Sequence, residues 1–202
     1  MHPSAMAFAC SALTEADVLG KTVVEAGAFD VNGSVRPHVE SLGPDVYLST
    51  DMREGPGVDV VCAAEDLRPD MAEVVISTEM LEHAADWQAA MLGLIGAVTP
   101  GGVLVLTARS PGFPYHPHPE DLWRFPVESM SEILGAAGLV IERCEPDPDP
   151  ASPGVLAKAR KPDGWAWPYG SAAAAWRSVR VDPVNISGSG GITLPGPQPV
   201  SG

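Results

Sequence analysis

The sequence predicts an α/β fold built on a mostly parallel sheet, and three observations carry that expectation. Short β-branched runs alternate with helical periodicity from about residue 20 to residue 160. The cores of the runs are continuously apolar, as in Val74-Val75-Ile76, which suits strands covered on both faces. Acidic or polar residues stand at or just past the strand ends, at Glu25, Asp51, Glu65 and Thr78. In a parallel α/β sheet ligands bind beyond the carboxyl ends of the strands, so this shared position marks a site.

The elements follow in order. Lys21–Ala28 reads as a buried strand running into the turn Gly27–Ser34. Ser34–Leu42 reads as a short helix with Val35, Val39 and Leu42 on one face, stopped by Gly43-Pro44. Asp45–Thr50, Val58–Cys62 and Ala72–Ser77 are the next strands. Trp87, Ala90, Met91, Leu94, Ile95 and Val98 recur at helical spacing, and Pro100-Gly101-Gly102 ends that helix. Val103–Thr107 is a fifth strand. Met130, Ile133, Leu134 and Ala137 mark a further helix with Gly138 as its cap. Leu139–Cys144 and Gly154–Ala159 close the sheet, and Ser171–Arg180 is a short helix.

The chain has 202 residues, enough for one well-buried domain with an appendage. Residues 1–162 form the expected domain, and residues 163–202 a Trp-containing extension with a Gly/Pro-rich tail. After Asp182 no charged residue appears. Two readings stand for the extension: a floppy tail, favoured for 183–202, and an arm docked through Trp165, Trp167 and Trp176, favoured for 164–180. The net charge of -14 repels phosphate backbones and anionic lipids, so neither nucleic acid nor membrane is an expected partner.

Cys10, Cys62 and Cys144 are far apart and odd in number, which suggests buried thiols in a reducing compartment. Met1–Leu13 lacks a basic n-region, so no signal peptide is expected. No run approaches the roughly eighteen apolar residues that span a bilayer. The expected location is the cytoplasm, where the sequons at Asn32 and Asn185 carry no meaning.

The order Glu25-x-Gly27, Asp51, Ala64-Glu65-Asp66-Leu67, Thr78-Glu79-Met80-Leu81-Glu82-His83, Pro100-Gly101-Gly102 and Trp123-Arg124-Phe125 resembles the class I S-adenosylmethionine-dependent methyltransferases. It is most similar to their small methyltransferase-domain branch, over roughly residues 20 to 160. The resemblance implies a Rossmann-like three-layer sandwich, with a mostly parallel seven-stranded sheet and an antiparallel last strand. It also implies S-adenosylmethionine as cofactor. Glu25, Ala26, Gly27 and Asn32 would meet its amino-acid end, Asp51 its ribose and Met52 its adenine face. Ala64 and Glu65 would lie at the adenine edge, with Thr78 and Glu79 beside the reacting methyl and His83 touching the cofactor or standing just behind it.

The chemistry of these residues agrees. A carboxylate at the end of the second strand can accept from both ribose hydroxyls; otherwise Asp51 is a helix N-cap. The family often has an acid where this chain has Ala63, which leaves the adenine amine to Glu65, Asp66 or the backbone. The first turn is glycine-poor: Phe29 stands where glycine is common, and Asp30 and Asn32 are expected to supply turn hydrogen bonds. The nicotinamide fingerprint G-x-G-x-x-G is absent, with only Gly27 and Gly33 in place. His83 is either a cofactor contact or a packing residue.

The loop Arg109–Phe125 follows the fifth strand and should face the acceptor. His116, His118 and Asp121 are its candidate catalytic residues, a histidine serving as general base for a hydroxyl; alternatively the histidines are solvated. The same three could ligate a metal, but prolines on both sides of His118 favour an extended path, and no metal is expected. Two functions follow. The first is methyl transfer to a hydroxyl of a small molecule or sugar. The second is a non-catalytic methyltransferase-fold scaffold or assembly protein that binds a partner, or a second copy, through residues 164–202.

Overall fold

In chain order the elements are α1 (Pro3–Ala12), α2 (Glu15–Val18), β1 (Thr22–Ala26), α3 (Arg36–Ser41), β2 (Val46–Asp51), β3 (Val60–Val61) and β4 (Ala72–Thr78). Then come α4 (Trp87–Ala97), β5 (Val98–Arg109), β6 (Trp123–Arg124), α5 (Val127–Ala136), β7 (Val140–Pro146), β8 (Gly154–Arg160), α6 (Ser171–Trp176) and β9 (Asp182–Pro183). Two 3-10 turns, Ala64–Asp66 and Leu81–His83, follow β3 and β4. These elements belong to a computed structural model that describes residues 1–117, 120–167 and 171–184. His118, Asn185 and the tail beyond it lie outside the described residues.

Seven strands form one sheet in the order β3-β2-β1-β4-β5-β8-β7. β1 to β5 pair in parallel. β8 runs antiparallel to both β5 and β7, so it alone is reversed. This is the mostly parallel seven-stranded sheet with an antiparallel last strand that the sequence predicts.

The continuous apolar runs have a plain cause. Val23, Val74 and Val103 pack with Phe8, Val35 and Val39 under α1 and α3. Their neighbours Val24, Val75 and Leu104 pack with Met91, Leu94 and Ile133 under α4 and α5. Side chains alternate in direction along a strand, and both faces are covered. On α4, Trp87, Ala90, Met91, Leu94 and Ile95 are all buried, as their spacing predicts. Val98 is instead the first residue of β5, pairing with Ala72 before the register shifts to Val74↔Val103. The three thiols are half-buried rather than buried, and unpaired.

The N-terminal helices are an addition to the sequence reading. α1 buries Ala5, Phe8, Ala9 and Ala12, and Pro3 occupies its first turn, where a missing N–H costs nothing. α2 begins at a capping box in which the Thr14 hydroxyl and N–H both donate to Asp17 Oδ2, at 2.9 and 3.2 Å. Asp17 also accepts from Lys158 Nζ at 3.0 Å and Arg160 Nη2 at 3.2 Å, which ties α2 to β8. Burial opposes ionisation of Asp17, yet the bonds from Lys158 and Thr14 hold its carboxyl down at about 2. Asp17→Asn is therefore expected to cost about 1 kcal/mol near neutrality, allowing for solvent screening. The deficit against the parent should be constant above the unfolded carboxyl range of about 4 and vanish as pH falls through about 2. Denaturant titrations at pH 7 and pH 3 check this; a deficit that grows in acid refutes it.

The described part of the C-terminal extension folds back on the domain. Trp176 Nε1 donates to Ile133 O at 3.0 Å, and Trp165 Nε1 to Ala137 O at 2.8 Å. The Trp176 ring lies 6.0 Å from that of Trp87. β9 pairs with β6, and Val184 N donates to Leu122 O at 2.9 Å. The extension thus pins the loop that follows β5. Among the described residues no helix is long and apolar enough to cross a membrane.

Candidate active site

A cavity of about 460 Å³ opens at the carboxyl ends of the parallel strands. β1 brings Glu25 and Gly27 to it, and β2 brings Asp51, Met52 and Arg53. The β3 loop adds Ala64 and Glu65, β4 adds Thr78, Glu79 and Met80, and β5 adds Arg109. Met1, His2 and Pro3 cover one side, and Phe113, His116 and Glu120 another. Of the residues expected to hold a cofactor, all but Ala26 line this cavity; the Ala26 side chain lies in the core beneath it.

The first turn closes without further glycines because other groups hold it. Gly27 has φ +78°, and a Cβ there would sit 2.5 Å from Met80 Cγ, so this one glycine is required. Asp30 Oδ1 accepts from Gly33 N at 2.7 Å, which closes the turn as an Asx side chain can. Phe29 braces the neighbouring β2 loop. Its N–H donates to Asp51 Oδ2 at 3.3 Å, its ring lies 5.0 Å from the Arg53 guanidinium, and a Cβ on Gly55 would fall 2.1 Å from it.

Asp51 is held from both sides, since its Oδ1 accepts from Arg53 N at 3.0 Å. Each carboxylate oxygen can accept more than one hydrogen bond, so both retain capacity toward the cavity. Met52, 64% exposed, presents its side chain at the mouth without a protein surface to cover it. Glu25 is more deeply set, and the Tyr47 hydroxyl donates to its Oε2. Burial pushes the Glu25 carboxyl up, and the Tyr47 bond opposes the rise.

Glu79 adopts a left-handed backbone at φ +52°, unusual for a residue with a side chain. Its N–H donates to Thr107 O at 2.9 Å, and its carboxylate meets His2 N at 2.6 Å and the Arg109 guanidinium. Arg109 also reaches Ser152 O at 3.0 Å and Asp147 Oδ2 at 3.5 Å, and it lies over the Phe113 ring. Ser4 Oγ donates to the same Asp147 oxygen at 2.6 Å, and His2 Nε2 lies 2.8 Å from Ser152 Oγ. One buried guanidinium therefore joins the ends of β4 and β5, the β7–β8 loop and the N-terminal segment. The sequence reading set Arg109 at the start of the loop expected to face the acceptor but gave it no role, and it did not expect the N-terminal segment at the site.

In the loop after β5, His116 N and Nδ1 both lie 2.9 Å from Asp121 Oδ2. Asp121 does not line the cavity; it is buried and held by the Arg124 guanidinium at 2.5 and 2.7 Å. Burial draws His116 below its ordinary pKa against the pull of Asp121, which favours a neutral imidazole. His83 and His116 meet edge to face at 4.9 Å, and His83 Nδ1 contacts Glu120 O. Glu82, which the sequence reading left without a role, is fully buried beside them, and burial pushes its carboxyl up to about 8.

The wall carries Glu25, Asp51, Glu65, Glu79, Asp86 and Glu120 against Arg53 and Arg109. Such a wall repels a pyrophosphate and attracts a cation.

No family model matches the chain, and no curated protein matches its sequence. Solved structures do match. Burkholderia thailandensis 1,6-didemethyltoxoflavin-N1-methyltransferase, solved with 1,6-didemethyltoxoflavin and S-adenosylhomocysteine, superposes with a TM-score of 0.63 at 18% identity over 79% of each chain. A Mesorhizobium loti S-adenosylmethionine-dependent methyltransferase gives 0.59 at 19% identity, over 78% of this chain and 98% of that one. The putative methyltransferase bound to the Haloferax volcanii Trm112 activator gives 0.59 at 16% identity, over 80% and 90%. The chain thus has the fold of the class I S-adenosylmethionine-dependent methyltransferases.

Proposed function

We propose that the chain is an S-adenosylmethionine-dependent methyltransferase acting on a hydroxyl of a small molecule or sugar. The observation that carries this reading is the acid-lined cavity at the strand ends, with Asp51 among the acids that line it. Its size, about 460 Å³, suits a nucleoside-sized ligand with room at the acceptor side. The excess of acids suits a cofactor with an ammonium and a sulfonium, and disfavours a dinucleotide.

When bound, S-adenosylmethionine supplies a methyl group on a positively charged sulfur. The remaining chemistry belongs to the chain. Asp51 and Met52 hold the nucleoside, Glu65 borders the adenine edge, and the Glu25–Asn32 turn receives the amino-acid end. Glu79, fixed by Arg109, shapes the wall beside Thr78. The covering segment Met1–Pro3 limits water, and alignment of acceptor with methyl provides much of the rate. His116, aligned by Asp121, activates the acceptor hydroxyl.

The scaffold alternative gains little from the described residues. Trp165 and Trp176 are spent on α5 of the same chain, which leaves them poor anchors for a partner. Calorimetric titration with S-adenosylhomocysteine tests the enzyme reading. One site with a micromolar Kd is expected, and no heat at millimolar ligand would sink it. Release of S-adenosylhomocysteine across a panel of hydroxylated small molecules then identifies the acceptor class.

A further inference from the structure

We infer that Glu82, His83 and His116 form a site for a first-row divalent metal ion of the zinc class, on the acceptor side of the cavity. Their ligand-capable atoms lie within 4.8 Å of one another. They come from one 3-10 turn and from the loop after β5, which the sequence separates widely.

Glu82 gives the first argument. It is 0% exposed, and among the described residues no side chain hydrogen-bonds either carboxylate oxygen, although the backbone N–H groups of Glu82 and Arg109 approach it. Such a carboxyl is costly to ionise, and a metal ion that displaces its proton offsets that cost. The nearby guanidinium of Arg124 is engaged with Asp121, Trp123 O, Phe113 O and Pro114 O. What Glu82 faces instead is an imidazole, with Oε1 4.0 Å from His116 Nε2.

The histidines give the second. His116 Nδ1 lies 2.9 Å from Asp121 Oδ2, so in the neutral ring Nδ1 carries the proton and Nε2 the lone pair. His83 Nδ1 meets a backbone carbonyl, Glu120 O, which can only accept; its Nε2 likewise holds the lone pair. A metal-ligating histidine typically donates its other ring N–H to a carboxylate or a carbonyl. Both histidines do so here, one of each kind.

Two imidazoles and a carboxylate form the donor set of zinc and similar ions, whereas magnesium and calcium prefer oxygen alone. Bonds of about 2.1 Å would draw the three donors together by roughly an ångström. The set differs from the His116, His118 and Asp121 trio the sequence suggests, because Asp121 is turned to Arg124 and orients His116 from behind. His83 and His116 line the cavity, so the open position of the ion faces the acceptor.

The ion's role, though not its binding, rests on the methyl-transfer reading. A coordinated acceptor hydroxyl releases its proton to solvent more readily. The oxygen electron pair then forms the bond to the methyl carbon, and the carbon–sulfur bond breaks toward sulfur. On this reading His116 activates the acceptor as a ligand.

The test uses the full chain, stripped with a chelator and titrated with Zn²⁺ against a chromophoric competitor. One equivalent is expected to bind. Glu82→Gln and His116→Ala, checked for folding by circular dichroism, should each weaken it at least a hundredfold. Co²⁺ should give visible d–d bands in the parent and in neither variant. Absence of one-equivalent binding in the parent overturns the site. Equal affinity in a folded variant, either one sufficing, also overturns it, because the zinc is then adventitious. Since Glu82 is buried and His116 is on a loop at 28% exposure, the second variant remains informative if the first fails to fold. Zinc binding without S-adenosylhomocysteine binding keeps the site and removes the methyl-transfer reading; the reverse result does the opposite.

Discussion

Asp51→Ala is expected to weaken S-adenosylhomocysteine binding by roughly a hundredfold while leaving the fold intact. A carboxylate that accepts from two ribose hydroxyls contributes about 1.5–3 kcal/mol per charge-assisted bond, part of which water replaces on substitution. The side chain also accepts from Phe29 N and Arg53 N, so a modest loss of stability accompanies the change. Asp51→Asn separates the two effects, because it keeps an acceptor oxygen for the loop. Calorimetry on both variants, with Tm as the control, reads the result. Affinity unchanged in Asp51→Ala refutes the ribose assignment.

Arg109→Ala is expected to destabilise the protein by about 3–5 kcal/mol. The guanidinium is 2% exposed and meets the carboxylates of Glu79 and Asp147, so its removal strands two acids beside one another's loops. Glu79→Gln in the same background should regain part of the loss, because neighbours that share a network are not additive. The covering segment shares these acids through His2 N and Ser4 Oγ, so ligand affinity should fall together with stability. Urea denaturation of the two single variants and the double checks this. Additive losses would show that Arg109 and Glu79 are not coupled.

How much was legible in the chain depends on how local each cause is. Strand cores such as Val74–Ile76 and the α4 face declare themselves because period and burial are local properties. The α1 helix was missed although Ala5, Phe8, Ala9 and Ala12 stand at helical spacing. Three of those four are alanines, which give little contrast between a buried face and an exposed one. The glycine-poor turn was readable as a departure, but not its remedy. Phe29 fills space against Gly55, which depends on where the β2 loop returns.

The sequence by itself determined the layered sheet and the row of acids at its strand ends, because alternation of period and the position of a charge after an apolar run are written in neighbouring residues. The tertiary structure alone decided which acids stay paired and which do not. It seats Arg109 between Glu79 and Asp147, sends Asp121 to Arg124, and leaves Glu82 buried against two histidines. Those outcomes follow from loops meeting across the sheet's carboxyl edge, and no local pattern records which partner a buried charge will find.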